Sequence, residues 1–407
     1  MYVDPPPTTA IFILVNLTYE MTETKAVPAL LRTLNERTVL EAVRTTGPIS
    51  RAEVARQTGI SRPTVSLVLR SLLADGLVRE TEHDPAGPHY GAVYYEADPE
   101  AAVVLGVDFG SRAVRTALCD LSSGVRAREE IRSRGAVEER IEALASSVRS
   151  LLRTSKLPGD LLENAVVALP AVVHPTEGRV SEADLPGLGA SDLREQLERA
   201  LRVPVTLEND VNLAAVAEQR RGVAQDVADF AFLLVGAGLG AAVMLDRKLH
   251  RGHNGNAGEL DAVRNGRPDD VDPCAASLSQ LAAELALGKE TVLEQPFDVQ
   301  ELFAAAGAGD AVGVAVVEEA ARRIALHVLP LAATLDLPLV VLGGSVGANP
   351  ALLQPVRRHL DDLLPFPAPQ VEVSALGEAA VIEGALAAGV DTAVERLFQR
   401  RVQRRAS

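Results

Sequence analysis

The sequence predicts an α/β protein made of a small helical head, a winged helix-turn-helix, and a larger body of two α/β lobes with a cleft between them. Three observations carry this. Residues 50–76 (SRAEVARQTGISRPTVSLVLRSLLADG) hold two short helices joined by a glycine turn. From Val103 onward, apolar strand-length runs alternate with amphipathic helical stretches. Charge separates along the same boundary. Residues 25–79 hold nine Lys or Arg against four Asp or Glu, a net +5, whereas residues 80–407 carry −17 of the total −15 and residues 1–24 carry −3. A basic head on an acidic body is the footprint of a modular nucleic-acid-binding protein rather than of one that coats DNA indiscriminately.

At 407 residues the chain is too long for one ordinary domain, and a 47% apolar fraction supplies more than one core. Aromatics are only 3%, so Ala, Val, Leu and Gly fill the interior. Two cysteines, Cys119 and Cys274, cannot build a disulfide framework, which suits a reducing cytoplasm. The longest apolar run, Ala231–Leu245, is interrupted by Gly236, Gly238 and Gly240 and is too short to span a bilayer. Residues 10–15 lack the basic flank and cleavage site of a secretory leader. Residues 1–27 fit no domain pattern and read as an extension, which makes Met21 an alternative start.

The head is expected over residues 28–98. Leu30, Leu31, Leu34, Val39, Leu40 and Val43 recur at helical spacing up to Gly47-Pro48. Ser50-x-x-Glu53 is a capping box that opens a second helix, with each side chain expected to satisfy the other's backbone N–H. Gly59 makes the turn. Ser61 caps a third helix with Pro63 in its first turn, Val65, Val68, Leu69 and Leu72 buried, and Gly76 closing it. Leu77–Glu80 and Val93–Glu96 read as two strands flanking a wing, His83–Gly91. A recognition helix presents its N-terminal side chains to base edges, which selects Arg62 and Thr64 for base contact, with the capping Ser61 and the exposed Ser66 beside them as further DNA-binding candidates. Arg51 and Arg70 are better placed for phosphates. A bare three-helix packing module is the alternative.

In the body, strands are expected at Val103–Phe109, Val114–Asp120, Ala127–Ser133, Ala165–Leu169, Val205–Glu208, Phe230–Val235 and Leu339–Leu342. Helices are expected at Glu138–Arg153, Val211–Gly222, Ala276–Ala286, Gln300–Ala306, Ala311–Leu335, Leu352–Leu364 and Glu378–Gln399. The lobes are drawn as residues 99–222 and 223–399, the second including the C-terminal helices. The basic end 400–407 (RRVQRRAS) reads as a solvated, frayed helix end, with a DNA contact as the alternative.

Leu207–Glu218 (LENDVNLAAVAE), Gly236–Gly240 and Gly255–Leu260 (GNAGEL) resemble the ROK family of repressors, open reading frames and sugar kinases, and the likeness runs from residue 28 onward. The resemblance implies an actin-like or hexokinase-like two-lobed ATPase fold. It implies that Asp108–Ser111, with Asp108 and Gly110, and Gly236–Gly240, with Gly236, Gly238 and Gly240, lie where ATP phosphates would sit. Gly343–Gly347, with Gly343 and Gly344, would lie near adenosine. Asn209, Asp210 and Glu259 would line a sugar pocket, Asp210 in the position of a kinase base. The same Asn209-Asp210 pair is also a natural N-cap, and Gly236–Gly240 a tight hairpin.

The phosphate loops depart from the kinase pattern. D-x-G-G-T is here Asp108-Phe109-Gly110-Ser111-Arg112, and G-T-G-x-G-x-G is Gly236-Ala237-Gly238-Leu239-Gly240-Ala241-Ala242. Threonine is lost from both, and a Cβ appears, at Ser111 and at Ala242, where glycine would let a nucleotide approach. A vestigial kinase is therefore expected, with no catalytic residue and Asp210 as a former base. The family's zinc pattern also fails. Its His position is Ala262, and its cysteines align with Arg267, Asp269 and Cys274, so one ligand of four survives and no metal or other cofactor is expected. His250 and His253 read as residues of an exposed turn. The sugar contact that follows the last cysteine is Ala276. The expected protein is a cytoplasmic, sugar-sensing repressor that binds operator DNA as a homodimer or tetramer, with no membrane partner. An active kinase and a ligand-independent DNA-binding protein are the alternatives.

Overall fold

The computed structural model describes residues 26–81, 93–110, 113–132, 135–181, 192–260 and 272–406, with side chains described from Leu31 to Arg404. The chain divides between Glu96 and Ala97 into two units.

In the first unit, α1 (Ala26–Thr46), β1 (Ile49–Ser50), α2 (Arg51–Thr58), α3 (Arg62–Ala74), β2 (Val78–Thr81) and β3 (Tyr94–Ala97) follow one another, and the strands form a sheet in the order β1-β3-β2. Its core is Val39, Leu40, Val43, Val54, Val65, Val68, Leu69 and Leu72, capped by Leu77, Tyr94 and Tyr95. Leu31 and Leu34, which share the helical spacing of Val39, Leu40 and Val43, are 54% and 48% exposed. The reason is length, since α1 extends more than two turns beyond the part that carries Val39–Val43. The capping box is half formed. Ser50 Oγ accepts the Glu53 N–H (3.3 Å), but Ser50 lies in a strand pair and the Glu53 carboxylate turns to Arg56 and Gln57. Gly59 adopts φ +69° and Gly76 φ +66°, ending their helices in the left-handed region. The expected wing tip, His83–Gly91, lies outside the described residues.

The second unit has two five-stranded sheets. The first contains β4 (Val103–Phe109), β5 (Ala113–Asp120), β6 (Val125–Arg132), β7 (Leu162–Leu169) and a later strand, β10 (Val205–Asn209), in the order β10-β7-β4-β5-β6. Between them lie α4 (Val137–Thr154), a small hairpin of β8 (Val172–Val173) and β9 (Val180–Ser181), and α5 (Leu193–Leu201). Strands β4, β7 and β10 are parallel. Helices α4 and α5 cover one face through Ile141, Leu144, Leu193 and Leu197. After α6 (Asp210–Arg221), the second sheet contains β11 (Phe230–Val235), β12 (Leu239–Leu245) and β13 (Lys248–His250). Helices α7 (Ala275–Ala286), α8 (Val299–Gly307) and α9 (Ala311–Leu335) follow, then β14 (Leu339–Gly343), a single turn α10 (Gly344–Gly347), α11 (Leu353–Leu363), β15 (Gln370–Val373) and α12 (Ala380–Ala406). The order here is β13-β12-β11-β14-β15. Helices α7, α8, α9 and α11 bury its outer face.

Helix α6 lies between the sheets. Leu213 packs with Val166 and Ala168 of the first, while Val211, Ala214 and Ala215 pack with Phe230 and Phe232 of the second. Helix α12 was drawn with the second lobe because it follows that lobe in sequence. It packs instead on the first sheet, where Ile382, Leu386, Val390 and Ala393 meet Val104, Ala117 and Cys119. The helix runs to Ala406, with Val402, Gln403 and Arg404 exposed as expected of a solvated end, but Arg400 pairs with Glu163 (2.6 Å) and Arg401 is buried over Phe398. The apolar stems of these arginines have a surface to cover, which the run of charges conceals. Strands β8, β9, β13 and β15 and helix α5 were not anticipated. Each is short, and β8, β9 and β13 have too few residues to show a period. Among the described residues no single helix is long and apolar enough to cross a membrane.

Candidate functional site

The head places its candidate DNA contacts on α3 and at the start of α2. Ser61 is the N-cap of α3, accepting the Thr64 N–H at 3.4 Å, and its hydroxyl also meets Thr64 Oγ1 at 2.8 Å. Ser66 Oγ donates to the Arg62 carbonyl one turn back (3.0 Å). The hydroxyls of Ser61, Thr64 and Ser66 are therefore engaged within the helix. Arg62 and Arg70 are exposed, and among the described residues neither has an ion-pair partner. Arg51 opens α2, also exposed, with its charge felt at the Tyr95 phenol. Leu67 is 61% exposed on α3 and was not singled out from the sequence.

In the body, parallel strands β4 and β10 deliver Asp108 and Asn209-Asp210 at their carboxyl ends, the edge where open α/β sheets bind ligands. Asn209 caps α6 by accepting the Asn212 N–H (3.0 Å), and its amide donates to the Ala171 carbonyl (3.2 Å). The capping and pocket-lining roles are compatible, because both donor and acceptor retain a second hydrogen-bonding position. Asp210 Oδ1 accepts the Val211 N–H (2.8 Å). Its carboxyl is pushed up to about 7, first by burial and then by the nearby Asp108 and Glu259 carboxylates. Three acidic groups from three distant segments thus converge.

Glu259 is brought there by a close-docked loop. Gly258 has φ +96°, and a Cβ on it would come 1.9 Å from the Ala241 carbonyl oxygen. Gly255 has φ +91°, and a Cβ on it would come 2.3 Å from the Val173 carbonyl oxygen. The Ala241 N–H donates back to the Gly258 carbonyl (3.0 Å), fastening the loop to β12. Arg251, at the loop's start, reaches Glu208 at 2.7 Å, and Glu208 also accepts from Asn212 (2.9 Å). Beside this pair is a polar cavity of about 180 Å³ lined by His174, Thr176, Arg194, Thr206, Glu208 and Arg251. Neither Arg251 nor Glu208 was selected from the sequence, although Glu208 lies inside the Leu207–Glu218 motif and Arg251 lies just ahead of Gly255–Leu260. Glu218, the last residue of the LENDVNLAAVAE motif, is wholly buried and holds Ser374 and the Val223 N–H, a structural role.

The phosphate-side loops differ from the sequence reading in one respect. Ala242 lies inside β12, opposite Phe232, with its methyl in the core. The turn itself is Gly236–Gly238, so a Cβ at 242 does not obstruct that loop. Gly236 faces Ser345, and Gly344 (φ +84°) packs against the Val235 carbonyl, so the glycine segments after β11 and β14 adjoin. At the first loop, two arginines not selected from the sequence approach. Arg115 meets Asp108 (3.3 Å), Glu130 (3.0 Å) and Glu378 (3.5 Å). Arg140, buried, donates to the Gly110 carbonyl and lies 4.9 Å from the centre of the Phe109 ring. Burial holds Asp108 above the usual carboxylate range, with Arg115 pulling the other way. Ser111 and Arg112 lie outside the described residues.

Ala262, Arg267 and Asp269 of the expected remnant zinc loop also lie outside the described residues. Cys274 precedes α7 in the core of the second sheet. Among the described residues no three His, Cys, Asp or Glu side chains cluster as metal ligands. His250 and His253 are exposed.

The ROK family profile matches residues 104–389 and the MarR family profile residues 32–87. The DNA-binding transcriptional dual regulator NagC of Escherichia coli K12 is 25% identical over 340 residues, covering 80% of this chain and 84% of NagC. The crystal structure of a ROK family transcriptional regulator, a homologue of the E. coli MLC protein, superposes with a TM-score of 0.71 at 20% identity, covering 91% of this chain and 99% of that one. A ROK hexokinase from Thermus thermophilus gives a TM-score of 0.59 at 27% identity, covering 72% and 99%. With a family match across most of its length and a winged helix ahead of it, the chain belongs to the ROK family.

Proposed function

We propose that the chain is a DNA-binding transcriptional regulator, a repressor that responds to a sugar or a related polyhydroxylated effector. The observation that carries this is the fusion itself, a capped α3 with exposed Arg62 and Arg70 ahead of a ROK body. In this reading Arg62 reads base edges, Arg51 and Arg70 hold phosphates, and two copies of the chain occupy two half-sites of an operator. Asn209, Asp210 and Glu259 accept from and donate to effector hydroxyls. Effector binding closes the cleft and alters half-site spacing. Fluorescence anisotropy on the DNA upstream of its own gene, with a sugar panel at two salt concentrations, tests it. Binding weakened by one sugar is the expected result. Tight binding indifferent to every sugar supports a ligand-independent DNA-binding protein instead.

In the same proposal the body has lost phosphotransfer. A kinase needs donors around the phosphates and a free acidic group beside them. Here Arg115 is paired with Asp108, and Arg140 holds the carbonyl of Gly110. The rival reading, an active sugar kinase, is favoured by Asp210, whose proton affinity near neutral pH suits a general base. A coupled ATP-consumption assay with a hexose panel separates them: no sugar-dependent turnover is expected, and turnover abolished by Asp210→Asn would establish the kinase.

A further inference from the structure

We propose that Leu67 is a base-reading residue, and that it recognises the C5-methyl group of a thymine in each operator half-site. This rests on the DNA-binding reading of α3. Helix α3 buries Val65, Val68, Leu69 and Leu72. With about 3.6 residues per turn, the face directly opposite is formed by Pro63, Leu67, Arg70 and Ala74, and Arg62 and Ser66 lie on its flank. Of these, Pro63, Leu67, Arg70 and Ala74 are exposed, and Leu67 is 61% so. An exposed leucine at the centre of the outward face has no partner in the head's own core, whose members lie on the other side of the helix.

The chemistry of the neighbours narrows what Leu67 meets. The hydroxyls of Ser61, Thr64 and Ser66 bond within α3 and keep spare lone pairs for polar base edges, so none of them supplies an apolar contact. That leaves two guanidinium groups, Arg62 and Arg70, framing an apolar step made by Pro63 and Leu67. In the major groove the thymine methyl is the apolar feature that distinguishes one base pair from the others, and small apolar side chains read it by contact. A guanidinium at either side selects guanine or a phosphate. The outward face is therefore matched to a thymine flanked by polar contacts.

The test uses the full-length protein and a duplex enriched from a random pool. Each thymine of that duplex is replaced in turn by deoxyuracil, which removes only the methyl, and binding of wild type and Leu67→Ala is measured by anisotropy. One thymine per half-site is expected at which methyl removal weakens wild type about fourfold, the cost of one buried methyl-sized group. Leu67→Ala should already be weakened and be indifferent at that position while responding normally elsewhere. Wild type indifferent to every methyl, or Leu67→Ala as sensitive as wild type, overturns the assignment. A pool that yields no enriched duplex overturns the DNA-binding reading and this inference with it. A Leu67→Ala protein that changes oligomeric state with its methyl sensitivity intact reassigns the residue to a protein contact. Because Leu67 is exposed, its truncation leaves the head folded, which an unchanged melting temperature verifies.

Discussion

At the scale of single residues, Asp210 concentrates the physics of the cleft. Its folded-state acidity is shifted from 3.8 to about 7 by burial and by Asp108 and Glu259. Between those values the folded protein holds a proton that the unfolded chain has released, so stability attributable to this group falls as pH rises through that window. Asp210→Asn is neutral at every pH. Its melting temperature relative to wild type should therefore rise from pH 5 to pH 8; a difference that is constant with pH would show that Asp210 is not perturbed. Effector affinity should follow the opposite course in wild type, improving as pH rises through 7, because an ionised carboxylate is the stronger hydroxyl acceptor. Isothermal titration at pH 6 and 8 checks this.

The head's arginines give a second residue-scale prediction. Arg70→Ala should weaken binding to all sequences alike and lower the salt slope by about 1, as for a phosphate contact. Arg62→Ala should relax specificity at one base pair at a cost of about 1–3 kcal/mol. Reversed outcomes in a salt-titrated anisotropy series would exchange the two roles.

At the scale of elements, caps and loops decide which side chains converge. Ser61 fixes the start of α3. Ser61→Ala should cost about 1 kcal/mol and lower the head's melting transition by about 4–8 °C, measured by calorimetry, with DNA affinity reduced in step. Gly258 fixes the loop that brings Glu259 to Asp210. Gly258→Ala places a Cβ against the Ala241 carbonyl at a positive φ, so it should destabilise by more than ~1 kcal/mol and abolish the effector response while DNA binding survives. A Gly258→Ala protein with a normal effector response would show that this loop does not build the pocket. Helix α6 is the element both sheets share, and its first turn holds Asn209 and Asp210. A motif of twelve residues, Leu207–Glu218, thus supplies the Asn209-Asp210 pair of the proposed effector site at one end and, through Glu218, a buried structural contact at the other.

At the scale of the whole molecule, the separation of charge sets the terms of DNA binding. The head is +5 and residues 80–407 are −17. Operator binding by the full chain should be steeply salt-dependent, losing on the order of a thousandfold between 50 and 200 mM salt if about six phosphates are contacted. Binding to unrelated DNA should be weak, because the acidic body repels the duplex. A shallow salt slope in competition anisotropy would refute the assignment of Arg51 and Arg70 to phosphates.

The sequence by itself determined the head's three helices, its turn and caps, the boundary between basic head and acidic body, and most strands and helices of the two lobes. These are local signals: helical spacing, a capping serine, a turn glycine, and strand-length apolar runs. It also marked Asn209, Asp210 and Glu259, because motifs preserve order and spacing. Tertiary structure alone decided what depends on distant residues meeting. Helix α12 joins the first sheet because that sheet offers Val104, Ala117 and Cys119 to its apolar face. Asp108 is neutralised by Arg115 across a strand pair, and Arg140 reaches the Gly110 carbonyl from α4. Ala242 is harmless because strand pairing turns its methyl to the core. Leu67 stands exposed because helix phase, set by Val65, Val68, Leu69 and Leu72, turns it away from them. Periodicity names faces, but only packing assigns each face a neighbour, and the energy of a buried charge depends on that neighbour.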